Sequence, residues 1–226
     1  MIYALYGFLV GLFIPYAARR FAKFMPATPG YALWQLLRRE KKSCGGKINA
    51  SLVYTRLRRQ FYYRSVMSGL ITMAVTFAAY EQWGALHLGW RLAYVWILLL
   101  LAEIDYRTLL LPDILTVPLL ILGFAVSVFG VGFVGAEMSA LGAVTGYVLP
   151  VAASLALVWK NKDAFGGGDI KLLAAAGAWL GIELLLYVII GSAVLFMIYA
   201  LVRRRRSGAY GPAIALSAIM IALYFF

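Results

Sequence analysis

The sequence predicts an all-α polytopic membrane protein with about eight transmembrane helices and one basic cytoplasmic loop. Hydrophobic residues make up 64% of the 226 positions, well above the roughly 45–50% apolar content of soluble domains. Charged residues make up only 13%, and the apolar residues occur in runs close to the roughly 17–25 residues that a spanning helix needs. Most of the chain is therefore expected to face lipid or other buried helices.

The first predicted transmembrane helix, residues 1–18, has its basic neighbours Arg19 and Arg20 after the apolar run and none before it. This order is the reverse of a cleavable secretory signal, so we expect a membrane helix with its N-terminus outside. Because Ile170–Leu180 is short, the sequence leaves open whether it spans or is re-entrant. Seven segments follow the first: Ser65–Trp83, Trp90–Asp105, Ile114–Val134, Ser139–Trp159, Ile170–Leu180, Glu183–Val202 and Ala209–Phe226.

Residues 19–64 form the predicted basic loop, with twelve Lys and Arg against one acid, Glu40. Its prolines and glycines interrupt helices, which leaves room for one short amphipathic helix at Tyr31–Arg39. A second basic cluster is Arg203–Arg206. Loops this basic stay on the cytoplasmic side and meet anionic headgroups there. Since no nucleic-acid-binding motif accompanies the charge, we expect a lipid partner and no nucleic acid.

Cysteine and histidine are too scarce to carry catalysis. With Cys44 as the single cysteine and His87 as the single histidine, the chain has no internal disulfide, no Cys-based or His-rich metal site and no apparent Ser/His or Cys/His dyad. We therefore predict no metal site. Any catalytic role falls to the nine Asp and Glu residues.

Two aspartates are predicted to meet at the cytoplasmic surface. Asp105 ends the third segment, and Asp169 opens the sixth directly after Gly166-Gly167-Gly168. Ionisable residues near a membrane cost free energy and are functional candidates, and glycines allow a sharp bend and a close approach of backbone. Two adjacent carboxylates do not both ionise cheaply, so one keeps a proton while the other acts as a base. Such a pair activates water without a metal.

Each aspartate also has a structural interpretation. Asp169 precedes an apolar helix and is suited to capping its free N–H groups. Asp105 is suited to an ion pair with Arg107 or Lys171 at the interface. Both interpretations remain open from the residues alone.

Three further features have structural interpretations. Asp113 follows Pro112 and opens the fourth segment, where a capping role is favoured. Glu103 is two residues from Asp105 and would point to a different helix face, so it is the weaker candidate for the catalytic position. Gly211-Pro212 is predicted to be a loop or kink in the last segment, with a border of a substrate groove as the alternative.

Three elements in order resemble the type IV prepilin peptidases, membrane aspartic proteases with a Gly-x-Gly-Asp signature. Gly166–Ala174 resembles their second catalytic motif. Ile104–Arg107, followed by Leu111–Leu120, resembles the first. Tyr210–Leu216 resembles their C-terminal Phe-Gly-Pro-type segment. The resemblance is strong over about the C-terminal half of the chain.

The resemblance implies that Asp105 and Asp169 are catalytic and that residues 65–226 are a membrane-embedded aspartic peptidase core. It implies cleavage of a short basic leader from prepilins or type II secretion pseudopilins, at the cytoplasmic face of the bacterial inner membrane, with no cofactor for proteolysis. The residues expected to support the motifs and their loops are Gly166, Gly168, Lys171, Pro112 and Asp113.

The N-terminal third departs from the family pattern. Many members carry paired Cys-x-x-Cys elements that are thought to bind zinc, whereas Cys44 stands alone here. Residues 19–64 therefore resemble a degenerate methyltransferase and zinc region, and S-adenosylmethionine is a cofactor only if N-methylation is retained. Two alternatives are a proton-coupled transporter that uses both aspartates as a relay and a non-catalytic membrane subunit of a pilus or secretion machine.

Overall fold

The computed structural model describes residues 2–24, 50–85, 87–159, 166–203 and 208–226. Within these residues the chain is all-α, as predicted, and contains no strand. It divides into two compact units, Met1–Phe77 and Ala78–Phe226. The helices are α1 Ile2–Phe24, α2 Ala50–Trp83, α3 Leu88–Thr108, α4 Asp113–Val128, α5 Ala136–Trp159, α6 Gly167–Arg203 and α7 Gly211–Phe225.

In the first unit, α1 packs against α2 through glycines. A Cβ on Gly11 would lie 2.7 Å from the Cα of Gly69, and a Cβ on Gly7 would lie 2.5 Å from the Oγ1 of Thr76. Small residues let helix backbones approach closely where lipid tails offer no hydrophobic drive for association. The glycine spacing therefore sets how closely the two helices pack.

The helices on either side of the predicted basic loop are longer than expected. α1 continues to Phe24 instead of ending at Ala18, and α2 begins at Ala50 instead of Ser65. Hydropathy marks where apolar residues end, but a helix continues through charged residues when no Pro or Gly interrupts it. The remaining loop residues, 25–49, lie outside the described residues, and so do the predicted helix at Tyr31–Arg39 and the basic side chains Arg204–Arg206.

The predicted segment Ile114–Val134 is too long, because α4 ends at Val128. Gly130 follows in the left-handed region, at a φ of 69°, where glycine carries little steric cost. The amides of Val131 and Gly132 then both donate to the carbonyl of Val126, which closes the helix end. Because the residues of this turn are mostly apolar, a hydropathy pattern does not show that the helix ends here.

Helix α6 is broken at Gly181, where the sequence predicts a boundary between two segments. Gly181 has φ 80° and ψ 174°, a combination that is essentially restricted to glycine. A Cβ on Gly177 would lie 3.1 Å from the Cδ2 of Leu185, whereas eight residues of straight helix span about 12 Å. The chain therefore turns back at Gly181 into a second limb.

The core of the second unit forms where α4 and α5 meet the first limb of α6. A Cβ on Gly142 would lie 2.8 Å from the carbonyl carbon of Gly177, so α5 and α6 are nearly in backbone contact. The indole N–H of Trp179 donates to the carbonyl of Leu119 at 2.9 Å, and the Ser139 hydroxyl donates to the carbonyl of Ala178 at 2.6 Å. These contacts fix the first limb, whose N-terminal end carries Asp169.

Three helices in the described part of the chain are long and apolar enough to cross a membrane, at Ile2–Phe21, Ala136–Ala156 and Gly167–Arg203. Helices α4 and α7 are apolar but shorter. The first limb of α6, Gly167–Leu180, is about 21 Å long at 1.5 Å per residue and does not by itself cross a hydrocarbon core of about 30 Å. The eight-helix topology remains a prediction.

Candidate active site

Asp105 lies in the last turn of α3 and is only 4% exposed. The helix ends at Leu109, which adopts a positive φ of 55° and donates its amide to the carbonyl of Asp105 at 2.8 Å. The carboxylate has a backbone partner from another helix, because the amide of Gly211 donates to its Oδ2 atom at 2.8 Å. A buried carboxylate is costly unless it is hydrogen-bonded, and this amide supplies one such bond.

Asp169 lies in the first turn of α6, and the glycines before it have two different roles. A Cβ on Gly166 would lie 3.0 Å from the Oδ2 of Asp169, so this glycine leaves space for the carboxylate. A Cβ on Gly168 would lie 2.7 Å from the Cβ of Leu111. Gly168 therefore lets the Leu-Pro-Asp element of the first motif lie directly against the second motif.

Asp105 and Asp169, the two predicted catalytic residues, lie within electrostatic range of each other. Asp105 acts electrostatically on Asp169, although the residues lie on different helices. Because two carboxylates in one site share a proton in preference to both ionising, the arrangement can supply a base and an acid at once. This is the chemistry that the sequence pattern predicts for the pair.

Arg107 and Lys171, the two cations that the sequence offers to Asp105, bind other carboxylates. Arg107 donates to Glu103 through its Nε and Nη2 atoms, at 2.7 and 2.5 Å. Lys171 donates to the Oδ2 of Asp113 at 2.6 Å. The structural interpretation of Asp105 as the ion-pair partner of either cation is therefore wrong. Glu103, the weaker candidate for the catalytic position, is the carboxylate that binds Arg107.

Asp113 does not have the capping role that the sequence favours. It opens α4 directly after Pro112, but its carboxylate accepts the Lys171 ammonium group across 58 positions of sequence. Pro112 makes no side-chain capping bond at the start of α4. The expected support residues Pro112, Asp113 and Lys171 thus lie together where the two motifs meet.

Tyr210 adjoins the same site, although the sequence patterns assigned it no role there beyond its place in the third motif. Its hydroxyl lies 2.7 Å from the Oγ of Ser192, and it interacts electrostatically with Asp169. The sequence signal that could have pointed to Tyr210 is the Gly211-Pro212 pair directly after it.

The described residues hold no cluster of metal-ligating side chains. Over 2–24, 50–85, 87–159, 166–203 and 208–226, no three His, Cys, Asp or Glu side chains gather where they could hold a metal ion. Residues 25–49, much of the predicted methyltransferase region, lie outside the described residues, so binding of S-adenosylmethionine stays a prediction.

Known proteins resemble this chain over the same motifs. The profile of the type IV leader peptidase family matches residues 92–201. The prepilin leader peptidase/N-methyltransferase of Escherichia coli (strain K12) is 33% identical over 177 residues, which cover 75% of this chain and 78% of that protein. The chain belongs to this family.

Two other family members are longer than this chain. The prepilin leader peptidase/N-methyltransferase of Dichelobacter nodosus is 34% identical over 196 residues, which cover 84% of this chain and 64% of the relative. The protein of the same name from Neisseria gonorrhoeae is 37% identical over 147 residues, which cover 59% of this chain and 51% of that relative. This chain thus spans about half to two thirds of their length. No solved structure matches it.

Proposed function

We propose that this chain is an aspartic endopeptidase of the bacterial inner membrane that removes the short basic leader from type IV prepilins or type II secretion pseudopilins. The observation that carries the proposal is the contact between the two motifs, where a Cβ on Gly168 would lie 2.7 Å from the Cβ of Leu111. The electrostatic interaction of Asp105 with Asp169 supports it. Family membership supports it, since relatives that are 33–37% identical bear the name prepilin leader peptidase/N-methyltransferase. In this proposal residues 65–226 are the peptidase core and the site opens to the cytoplasm.

Asp105 and Asp169 perform the proposed reaction as an acid and a base. The ionised carboxylate takes a proton from water as the water oxygen attacks the scissile peptide carbonyl, and the protonated carboxyl gives its proton to that carbonyl oxygen. In the second step the C–N bond breaks, the protonated carboxyl gives its proton to the leaving amine, and the ionised carboxylate takes a proton from a hydroxyl of the tetrahedral intermediate. The pair then again holds one proton. The chemistry needs no covalent intermediate, and no cofactor is part of the proteolytic step.

The surroundings of Asp105 suit a substrate with an apolar stem. Leu109 and Leu110, which follow α3, are 64% and 56% exposed, and the ring of Tyr106 is 43% exposed. Exposed apolar side chains beside a buried carboxylate allow contact with a hydrophobic helix next to the cleaved bond. We therefore place the substrate's hydrophobic segment along this edge of the site.

The basic residues 19–64 are assigned to anionic lipid headgroups and not to the leader. The leader is basic as well, so a positive surface would repel it. At the described ends of this region, the guanidinium of Arg19 lies 5.1 Å from the ring centre of Phe61, and that of Arg20 lies 5.3 Å from the ring centre of Tyr16. Arginine beside aromatic rings is a common arrangement at a membrane interface.

The test is cleavage of a purified prepilin by wild-type protein and by separate Asp105→Asn and Asp169→Asn variants in detergent or membranes. Removing an acid–base group lowers the rate about 10²–10⁴-fold, so each variant is expected to lose cleavage at that scale. Glu137→Gln at the start of α5 is the control, because it removes a carboxylate remote from the motifs. A folded Asp variant that cleaves at the wild-type rate excludes the dyad.

The same preparation separates the alternatives. Wild-type protein that moves protons in liposomes and cleaves no prepilin indicates a transporter. Protein that does neither, but assembles with pilus or secretion components, indicates a non-catalytic subunit. Methyl transfer has its own measurement, in which cleaved pilin and labelled S-adenosylmethionine leave label on the new N-terminus only if that activity is retained.

A further inference from the structure

The start of α7 has a single amide without a backbone acceptor. The amides of Ala213 and Ile214 both donate to the carbonyl of Tyr210, at 3.0 and 3.2 Å. Pro212 has no amide hydrogen to donate. That leaves the amide of Gly211, which donates to the Oδ2 of Asp105 at 2.8 Å. An amide at the start of a helix has no acceptor within that helix. Here the carboxylate of Asp105, a proposed catalytic residue, accepts from it.

The position of residue 211 has no room for a side chain. A Cβ on Gly211 would lie 2.7 Å from the Oδ2, 3.0 Å from the Cγ and 3.1 Å from the Cβ of Asp105. All three distances are shorter than ordinary contact, so the whole carboxylate would have to move. Since Asp105 is 4% exposed, it is enclosed on its other sides and has little space to move into. Glycine at 211 therefore brings amide and carboxylate into hydrogen-bonding distance.

Tyr210, the residue before Gly211, is held by the second limb of α6 and interacts electrostatically with Asp169. Tyr210 acts electrostatically on Asp169, its hydroxyl bonds to Ser192 at 2.7 Å, and its ring meets Phe196 edge-on at 5.3 Å between ring centres. The Ser192 and Phe196 contacts tie Tyr210 to the second limb of α6. Of two consecutive residues, Gly211 is thus hydrogen-bonded to Asp105, and Tyr210 lies within electrostatic range of Asp169.

We propose that the Tyr210–Gly211 step is a third element of the active site, in which the Gly211 amide is a positioning group that holds Asp105 in register with Asp169. The inference rests on the proposed peptidase function and adds a residue to it. The amide fixes one carboxylate oxygen, which leaves the other to accept the proton of the attacking water. Hydrogen bonds to a charged oxygen are short and directional, so this one sets the angle of the carboxylate.

The experiment compares Gly211→Ala with Gly208→Ala in the full-length protein, using prepilin cleavage to measure kcat and KM. The methyl group at 211 displaces Asp105, and a misplacement of about 1 Å in an active site costs about 10²-fold. We expect kcat to fall by that scale with KM within about twofold. At 208 the added methyl lies 3.0 Å from the Cε1 of Tyr199, a half-buried ring that can shift, so kcat is expected to stay near wild type.

A second variant removes the donor and keeps the shape. Replacing Gly211 by glycolic acid through nonsense suppression turns its amide into an ester, which deletes one hydrogen. Because the first amides of a helix have no partner within the helix, α7 loses no donor of its own. The ester carbonyl of Tyr210 is a weaker acceptor for the amides of Ala213 and Ile214, so Gly211→Ala is the variant that leaves these bonds unchanged. We expect kcat to fall at least about tenfold with KM unchanged, and the thermal midpoint to stay close to that of wild type.

Infrared difference spectra of the ester variant against wild type give a readout that does not depend on activity. A change in the carboxyl bands that vanishes in an Asp105→Asn background is the expected result. Wild-type protein that fails to cleave prepilin defeats the proposed function, whatever the spectra show. Cleavage that persists at the wild-type kcat in both folded 211 variants, or carboxyl bands that do not change, overturns the positioning role and leaves the proposed function intact.

Discussion

The Nζ of Lys171 lies 2.6 Å from the Oδ2 of Asp113, and this ion pair joins the helix that carries Asp169 to the helix that follows Asp105. The partners are 58 positions apart in the sequence. Side-chain exposures of 38% and 57% leave the pair in contact with solvent. An exposed pair of this kind contributes little to the free energy of unfolding. We therefore expect its main effect to be on the relative position of the two motifs.

Lys171→Ala is expected to impair cleavage more than it impairs folding. Exposed ion pairs contribute about 0–1 kcal/mol, so the thermal midpoint is expected to change little, while kcat/KM falls by up to about fivefold. Prepilin cleavage and thermal unfolding measure the two effects. The charge-swapped double variant Lys171→Asp with Asp113→Lys is expected to recover part of the loss.

The matched control for that prediction is Arg107→Ala, which breaks an ion pair within one helix, between Arg107 and Glu103. Because this pair joins no two elements, cleavage is expected to stay close to the wild-type rate. Equal losses from Lys171→Ala and Arg107→Ala, with no recovery on charge exchange, would contradict a linking role.

Gly168→Ala is expected to separate the two motifs. The added Cβ would lie 2.7 Å from the Cβ of Leu111, and overpacking of this kind costs about 1–3 kcal/mol. Cleavage is expected to fall together with thermal stability. Gly167→Ala is the neighbouring control, since nothing lies within 4 Å of a Cβ there. Adding Leu111→Gly removes the clash and is expected to restore stability; if it does not, the contact is not the cause.

Gly181→Ala is expected to destabilise the turn between the limbs of α6. Its φ of 80° and ψ of 174° lie in a region that costs a side chain about 1–3 kcal/mol. Thermal unfolding of the detergent-solubilised protein measures the change. Gly89→Ala, in α3 with open space around the Cβ position, is expected to be neutral or stabilising. A Gly181→Ala protein as stable as wild type would mean that the two limbs form one continuous helix.

Gly142→Ala is expected to force α5 away from α6. The new Cβ would lie 2.8 Å from the carbonyl carbon of Gly177, and backbone atoms cannot rotate aside as a side chain can. A loss of about 1–3 kcal/mol is expected from overpacking, measured by thermal unfolding against Gly135→Ala, where the Cβ position is open. An unchanged midpoint would show that the helices separate at no cost.

Three short motifs predict the two aspartates from the sequence alone, and the apolar composition predicts an all-α chain. The predicted helix boundaries are less accurate where the end of a helix depends on more than the apolar content of the sequence. α2 begins at Ala50 and not at Ser65 because charges do not end a helix, and α4 ends at Val128 because the stop at Gly130 is a backbone event within apolar residues. A hydropathy pattern records neither.

The sequence by itself determined which residue types were available for catalysis, since one cysteine and one histidine leave carboxylates to do the work. It also placed the glycines that give the carboxylates room. The tertiary structure alone decided the partners: Gly211 for Asp105 across 106 positions, Asp113 for Lys171, and Glu103 for Arg107. Local pattern encodes helix and burial tendencies, whereas a hydrogen bond between distant residues depends on how the helices pack.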